Sequence, residues 1–171
     1  MQYVLKRDGT QQPVSFDKIT TRISSLQKGL DTKFVDAAIV AQKVVQGVYP
    51  GVTTEELDEL AAQTAAYMAT EHPDYALLAA RISVSNLHKK TLDSFSETCK
   101  LLNAYVHPKT GKRAALIADP VLKVVLDHAE ELDNYIDYAR DFTYDYFGFK
   151  TLERAYLIRM TGVVTERPQH M

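Results

Sequence analysis

The chain has 171 residues, of which 46% are hydrophobic and 25% charged, and its formal net charge at pH 7 is -2. This composition is typical of a globular protein and excludes a largely disordered chain. The single cysteine, Cys99, excludes an intrachain disulfide and a cysteine-rich zinc site. The apolar runs are too short to span a membrane, and charges stand where a secretory signal needs an apolar segment, so we expect a cytoplasmic protein.

Charge is distributed unevenly along the chain. The first 30 residues hold an excess of basic side chains, namely Lys6, Arg7, Lys18, Arg22 and Lys28 against Asp8 and Asp17. Residues 53–74 carry acidic charges and neither lysine nor arginine. The pattern predicts an anion site near the start of the chain, although a solvated charged surface would produce the same pattern.

The first elements are a hairpin and a helix. An apolar run at residues 3–5, the turn dipeptide Asp8-Gly9 and a returning segment at 11–14 predict two antiparallel strands. Pro13 restricts the second strand to an edge. Ser15 is a suitable N-cap for a helix with apolar positions at Ile19, Ile23 and Leu26, which we expect to end near Gly29.

Three more helices are predicted before residue 90. The second covers about 34–49, and its expected inner face consists of Phe34, Ala38, Ala41, Val45 and Val48. Residues 53–56 form a capping box at the start of the third, and Asp74 is the expected N-cap of the fourth, which reaches Leu87 or beyond. The fold class is therefore mainly α with a small β component: a four-helix bundle capped by a β-hairpin or three-stranded sheet.

The second half of the chain is less regular. The helical pattern extends towards Leu102, a loop is expected at 107–112, and a further helix is expected from Asp119 to about Ile136. From Asp141 onwards the sequence is rich in aromatic residues. This segment predicts the beginning of a second core.

The start of the first predicted helix has an unusual charge arrangement. A helix N-terminus favours acidic side chains, yet Lys18 occupies the capping-box position of a glutamate, and Arg22 follows one turn later. A phosphate at this helix end would make the arrangement favourable, and the hairpin turn brings Lys6 and Arg7 close to it. The alternative is a solvated basic face.

Three further side chains are candidates for nucleotide recognition. Thr54 and Asp58 lie four residues apart on one helical face, where a hydroxyl and a carboxylate could recognise a ribose or a base amino group. Thr54 could instead only cap the helix, and Asp58 could instead face solvent. Lys89 offers another phosphate contact, or is simply a solvated lysine.

Several motifs, in order along the chain, resemble the ATP-cone of eukaryotic-type class I ribonucleoside-diphosphate reductase large subunits. These motifs are Lys6-Arg7-Asp8-Gly9, residues 14–19, residues 51–58, residues 72–76 and residues 79–82. Residues 141–142, 146–154 and 166–171 resemble the N-terminal part of the catalytic region of these enzymes. The resemblance is weakest between about residues 94 and 137. It implies an ATP-cone domain at 1–92, a helical linker at 93–140 and a truncated start of the catalytic domain at 141–171.

The resemblance implies an allosteric activity site that binds ATP as activator or dATP as inhibitor, with Mg²⁺. The implied contacts are Lys6, Arg7, Gln12, Pro13, Val14, Ser15, Phe16, Asp17, Lys18, Thr54, Asp58 and Lys89. Asp58 is the residue that would distinguish ATP from dATP. Gln12 departs from the family, whose members often have glutamate there, so base preference could differ.

The family reduces ribonucleoside diphosphates to deoxyribonucleoside diphosphates for DNA replication, with thioredoxin or glutaredoxin as reductant. This reaction requires several cysteines, and the chain has one. We therefore expect no catalytic residues, no bound metal or redox cofactor, and a regulatory fragment that is inactive alone. The implied partners are further large-subunit copies, assembled into dimers and dATP-induced oligomers, and the radical-generating small subunit.

Two alternatives without enzymatic role compete with this hypothesis. One is a stand-alone nucleotide-sensing module of the kind that precedes a zinc ribbon in some bacterial repressors, against which the missing cysteine pairs argue. The other is a helical module that binds a protein through its basic strip. The net acidity and the lack of a basic surface interleaved with aromatic residues argue against nucleic acid as a partner, and no membrane partner is expected.

Overall fold

The computed structural model describes residues 3–171, which form two compact units. The first unit comprises residues 3–86 together with Thr143–Lys150, and the second comprises Leu87–Phe142 together with Thr151–Met171. No helix among residues 3–171 has the length and apolar character needed to cross a membrane.

Helices dominate the described chain, as the sequence predicts. The α-helices are α1 (Phe16–Ser24), α2 (Ala37–Gln46), α3 (Thr54–Tyr67), α4 (Asp74–His88), α5 (Phe95–Asn103), α6 (Asp119–Asp127), α7 (Ala129–Tyr135) and α8 (Tyr146–Thr151). The strands are β1 (Tyr3–Leu5), β2 (Gln11–Pro13), β3 (Val52–Thr53), β4 (Arg159–Met160) and β5 (Val163–Val164). Short 3-10 turns at Met68–Thr70, Tyr138–Thr143 and Pro168–His170 and a π turn at Leu152–Tyr156 complete the architecture.

The small sheet of the first unit has the order β2-β1-β3. The predicted hairpin is confirmed: β1 and β2 pair antiparallel, and Gly9 in the turn has the positive φ of +81° that favours glycine. Pro13 lies on an edge strand, as predicted. β3 pairs parallel with β1, so this strand brings the start of α3 beside the hairpin.

The predicted helix caps of the first unit are confirmed at Ser15 and Thr53. The Ser15 side chain accepts a hydrogen bond from the Lys18 backbone, and Thr53 and Glu56 form a complete capping box. The prediction for Asp74 was off by one position, because Asp74 is the first residue of α4 and its carboxylate accepts from the Asp31 backbone N–H.

The prediction for the second helix was wrong in its start and in part of its inner face. Ala41 and Val48 are buried and Val45 packs against the core, as predicted. Asp36 caps α2 by accepting from the Ala38 backbone N–H, so the helix begins three residues later than expected. The buried residues of α2 are Ala37, Val40, Ala41 and Val44, whereas Phe34 is exposed and stacks on His72. α1 likewise ends at Ser24 rather than near Gly29. The sequence pattern missed the Asp36 cap because either of two overlapping apolar stripes fits the segment that forms α2.

The core of the first unit consists mainly of alanine, valine and isoleucine side chains. Helices α2, α3 and α4 contribute small buried residues that let their backbones approach closely, among them Ala41, Ala62, Ala65 and Ala79. Tyr75 is fully buried, and its hydroxyl oxygen accepts from the Asp36 backbone N–H. This apolar core holds the polar ends of α1, α3 and α4 in fixed positions.

Two helix predictions for the second unit need correction. The pattern that extended past Leu87 is interrupted at residues 89–94, where Ser94 caps a separate helix, α5. The single helix expected from Asp119 to Ile136 is divided at His128 into α6 and α7. The loop predicted at 107–112 is confirmed, and β4 and β5 form a two-stranded hairpin.

Candidate functional site

The hairpin turn after β1 is attached to the ends of two helices. The Arg7 guanidinium donates to the Asn86 side-chain oxygen on α4 at 2.9 Å, and the Asn86 amide donates to the Glu55 backbone oxygen on α3 at 3.4 Å. The backbone of Lys6 closes the turn through Gly9 and Thr10. The turn that carries the cationic residues Lys6 and Arg7 is therefore attached near the start of α3 and the end of α4.

The start of α1 carries the predicted cluster of polar side chains. Lys18 donates from Nζ to the Gln12 side-chain oxygen at 3.1 Å, which joins two of the predicted residues directly. Asp17 lies in the first turn, where its charge is favourable to the helix dipole. A recess of about 360 Å³ lies along this helix and is lined by Asp17, Lys18, Thr21 and Arg22.

Arg22 joins three helices at this end of the unit. Its Nη2 atom donates to the Ser85 hydroxyl on α4 at 2.8 Å, and its Nε atom lies 3.5 Å from Asp58 Oδ1 on α3. Nε is buried and has no hydrogen-bond partner among the described residues. The Asp58 carboxylate is nevertheless within ion-pair distance of Nε, so the charge of Arg22 has a partner there.

The structure decides two alternatives that the sequence left open. Asp58 is only 8% exposed, so the interpretation of this residue as solvent-facing is wrong. Thr53, not Thr54, is the N-cap of α3, so Thr54 has no capping role and stands partly buried in the first turn. Asp58 thus contacts Arg22 within the polar cluster, and Thr54 lies one helical turn before it on α3.

The remaining predicted residues differ in their surroundings. Pro13 ends β2, Val14 packs against the core, and Phe16 at the start of α1 is 43% exposed. Lys89 lies in the turn after α4 and belongs to the second unit. Its participation in the site stays a prediction.

Three residues of this cluster were not among the predicted contacts. Ser85 and Asn86 are polar residues near the end of an otherwise apolar helix, and this pattern was the available signal. Arg22 was noted in the basic cluster but not selected as a contact. Outside this cluster, Lys150 on α8 gave no sequence signal, yet its Nζ lies 2.8 Å from Glu59 Oε2 on α3.

The described residues offer no ready metal site and no activated thiol. No group of three or more His, Cys, Asp or Glu side chains within residues 3–171 could hold a metal ion. Burial raises the pKa of the Cys99 thiol to about 11, with the charges of Glu166 and Asp133 adding to the effect. The thiol is therefore protonated at neutral pH and is a poor nucleophile.

Comparison with known protein families covers the first unit almost completely. The model of the ATP cone domain matches residues 2–90, which include β1–β3 and α1–α4. The chain belongs to the ATP-cone family. The matched range contains every residue that the sequence analysis selected for nucleotide contact. The polar cluster formed by α1, α3, α4 and the hairpin is thus part of a cone domain.

The cone and the residues after it are similar to the corresponding part of several reductases. The chain is 60% identical over 169 residues to the ribonucleoside-diphosphate reductase large chain of Schizosaccharomyces pombe. It is 59% identical to the large subunit of Arabidopsis thaliana and 56% identical to large chain 2 of Saccharomyces cerevisiae. Each alignment covers 99% of this chain, and the chain spans only about a fifth of the length of these relatives.

Proposed function

We propose that the cone binds ATP or dATP and that this binding regulates a ribonucleoside-diphosphate reductase large subunit to which the chain belongs. The main evidence is that Lys18, Arg22 and Arg7 lie at one end of the bundle of α1, α3 and α4. The family to which the chain belongs is named for ATP. The high identity to reductase large subunits indicates which enzyme is regulated. The reduction itself requires residues outside this chain.

The phosphates are best accommodated at the start of α1. The first backbone N–H groups of a helix carry partial positive charge, and Lys18 adds a side-chain cation there, while Lys6 and Arg7 belong to the hairpin turn. Arg22 also lines the recess along α1 and adds a further cationic side chain in the same region. Mg²⁺ would be carried by the nucleotide phosphates, since the described side chains supply no cluster for it.

The ribose and base are assigned to the α3 side of the cluster. ATP and dATP differ by one ribose hydroxyl, and a carboxylate is a strong acceptor for a hydroxyl donor. Asp58 is the carboxylate fixed there by Arg22, and Thr54 lies one turn before it. Gln12 presents an amide that suits hydrogen bonding to a base.

We also propose the wider context that the resemblance implies. The cone at 1–92 would act through a helical linker at 93–140 on a catalytic domain that begins near residue 141. Large-subunit copies and the radical-generating small subunit would be its partners in the cytoplasm. The 171-residue chain alone would bind nucleotide without catalysing reduction.

The test is calorimetric titration of the 171-residue chain with ATP, dATP and GTP at fixed salt and Mg²⁺. We expect saturable binding of both adenine nucleotides. Lys18→Ala and Lys6→Ala should each weaken both by about tenfold, because one charged phosphate contact is lost. Lys33→Ala removes an exposed lysine of the same unit outside the cluster and is the matched control.

The outcomes separate the competing functions. If Lys18→Ala, Lys6→Ala and Lys33→Ala bind the nucleotides with equal affinity, the phosphates do not bind at the start of α1. Failure of a fully folded chain to bind any nucleotide would favour the protein-interaction module. Binding of GTP as tightly as ATP would contradict an adenine-specific regulator.

A further inference from the structure

Helix α8 belongs to the same compact unit as the cone, although it follows the matched family region by more than fifty residues. Tyr146, its first residue, packs against the hydrophobic core of the first unit. Lys150, one turn later, is buried and only 9% exposed. The cone of this protein is therefore completed by a helix from the downstream part of the chain.

A specific ion pair also joins α8 to α3. Lys150 Nζ lies 2.8 Å from Glu59 Oε2 and 5.9 Å from the centre of the Tyr146 ring. The other Glu59 oxygen accepts from the Gln63 side chain at 3.1 Å, which fixes the carboxylate. A buried lysine is unfavourable without a partner, so this contact requires the Glu59 carboxylate at its present position.

Glu59 is the next residue after Asp58 on α3. Adjacent residues of an α-helix point about 100° apart, so the two carboxylates face different neighbours on one rigid element. Asp58 faces Arg22, and Glu59 faces Lys150. A displacement or rotation of α3 at Asp58 must displace Glu59 as well, because the helix hydrogen bonds join them.

We propose that Lys150 and Glu59 are positioning residues that couple nucleotide binding at the Asp58 position to the attachment of α8. This inference rests on the proposed function, and it names the route by which the nucleotide acts on the chain after the cone. A nucleotide that contacts Asp58 moves or stiffens α3, and the ion pair passes the change to α8. α8 is covalently continuous with the segment that starts at Thr151. A change in the attachment of α8 therefore affects the residues that follow.

The test is hydrogen–deuterium exchange of the 171-residue chain with and without ATP, with calorimetry on the same samples. In the unaltered chain, we expect ATP to change the exchange rate of the amides at 146–151 by about fivefold or more, a typical allosteric coupling. In Lys150→Met, ATP should still bind, and the response of α8 should disappear. Glu59→Gln should retain part of the response, because the amide oxygen still accepts a hydrogen bond.

Lys43→Met is the matched control. It breaks the exposed ion pair between Lys43 and Glu71 in the same unit, so it should leave the α8 response intact. The charge exchange Lys150→Glu with Glu59→Lys should restore the response that either single change removes. A merely structural role predicts altered stability in these variants without loss of the response to ATP.

The outcomes distinguish this inference from the function on which it rests. ATP binding with no change in α8 exchange, or with the same change in folded Lys150→Met and Glu59→Gln, would overturn the coupling alone. Absence of ATP binding to the unaltered chain would overturn the proposed function and the coupling together. A response that is lost in Lys150→Met, reduced in Glu59→Gln and kept in Lys43→Met supports the coupling.

Discussion

The two units differ in the location of their buried polar residues. In the first unit these residues are Asp58 on α3, Ser83 and Asn86 on α4, and Lys150 on α8. The buried polar residues of the second unit are Ser96, Thr98, Asn103, Asp141, Thr165, Glu166, Arg167 and His170. The first unit thus has an apolar interior and a polar end, whereas polar groups are spread through the second.

The second unit is held together by a hydrogen-bonded network. Arg167 donates to the backbone oxygens of His88 and Thr91 and to the Thr91 hydroxyl. His88 Nε2 lies 2.7 Å from the buried Asp141 carboxylate, and the Tyr138 hydroxyl lies 2.7 Å from His170 Nε2. Buried polar groups are costly when they lose their partners. We therefore expect polar substitutions in the second unit to affect mainly stability. In the first unit, we expect them to affect mainly ligand binding.

The largest expected effect is that of Arg167→Met. The substitution removes a buried guanidinium and leaves three partly buried acceptors without a donor, so it should lower the free energy of unfolding by about 3 kcal/mol. In the first unit, Arg81 also donates to two backbone oxygens, those of Leu26 and Lys28, but it is only partly buried. Arg81→Met should therefore cost only about 1 kcal/mol. Urea denaturation measures both, and equal losses would contradict the contrast between the units.

The second prediction concerns acid sensitivity. Burial, followed by the charge of Arg167, lowers the pKa of His170 from 6.5 to about 4. Between these values the unfolded chain binds a proton that the folded chain does not, so stability falls as the pH decreases. We expect a loss of about 2 kcal/mol from this group between pH 7 and pH 5.

His170→Gln provides the control for this pH dependence. Glutamine does not titrate in this range, so the variant should lose less stability than the unaltered chain between pH 7 and pH 5. Denaturation midpoints measured at both pH values test the difference. Parallel pH profiles for the two proteins would show that His170 is not responsible.

The third prediction compares the N-caps of the two units. Thr53→Ala removes a capping box and should cost about 1 kcal/mol. Ser94→Ala removes the cap of α5 and also contacts to Asp133 and Ser96, so it should cost about 2 kcal/mol. Thermal and urea unfolding measure both variants. A smaller loss for Ser94→Ala than for Thr53→Ala would mean that the network adds nothing to the cap.

The smallest expected effect on stability is that of Asp58→Asn. Arg22 is partly exposed and also contacts Ser85, so loss of the Asp58 charge should cost about 1 kcal/mol or less. The ratio of the ATP and dATP dissociation constants should nevertheless change more than the affinity for ATP. Titration with both nucleotides measures the ratio. An unchanged ratio would exclude Asp58 as the discriminating residue.

Much of the first unit could be predicted because its signals are local. The hairpin follows from Asp8-Gly9, and the helix starts follow from Ser15 and from the Thr53 and Glu56 pair. Each depends on residues within a few positions of one another. The register of α2 and the division at His128 could not be predicted, because apolar stripes at helical spacing permit more than one start and do not reveal an interruption.

The sequence by itself determined the caps at Ser15 and Thr53, the hairpin, the basic start of α1 and the family resemblance. Tertiary structure alone decided that Arg22 meets Asp58 and Ser85, that Arg7 meets Asn86, and that α8 completes the first unit through Lys150. Local elements arise from hydrogen bonds and side-chain preferences between near neighbours. Contacts between residues tens of positions apart depend on how the apolar faces pack, and a single sequence does not show that packing.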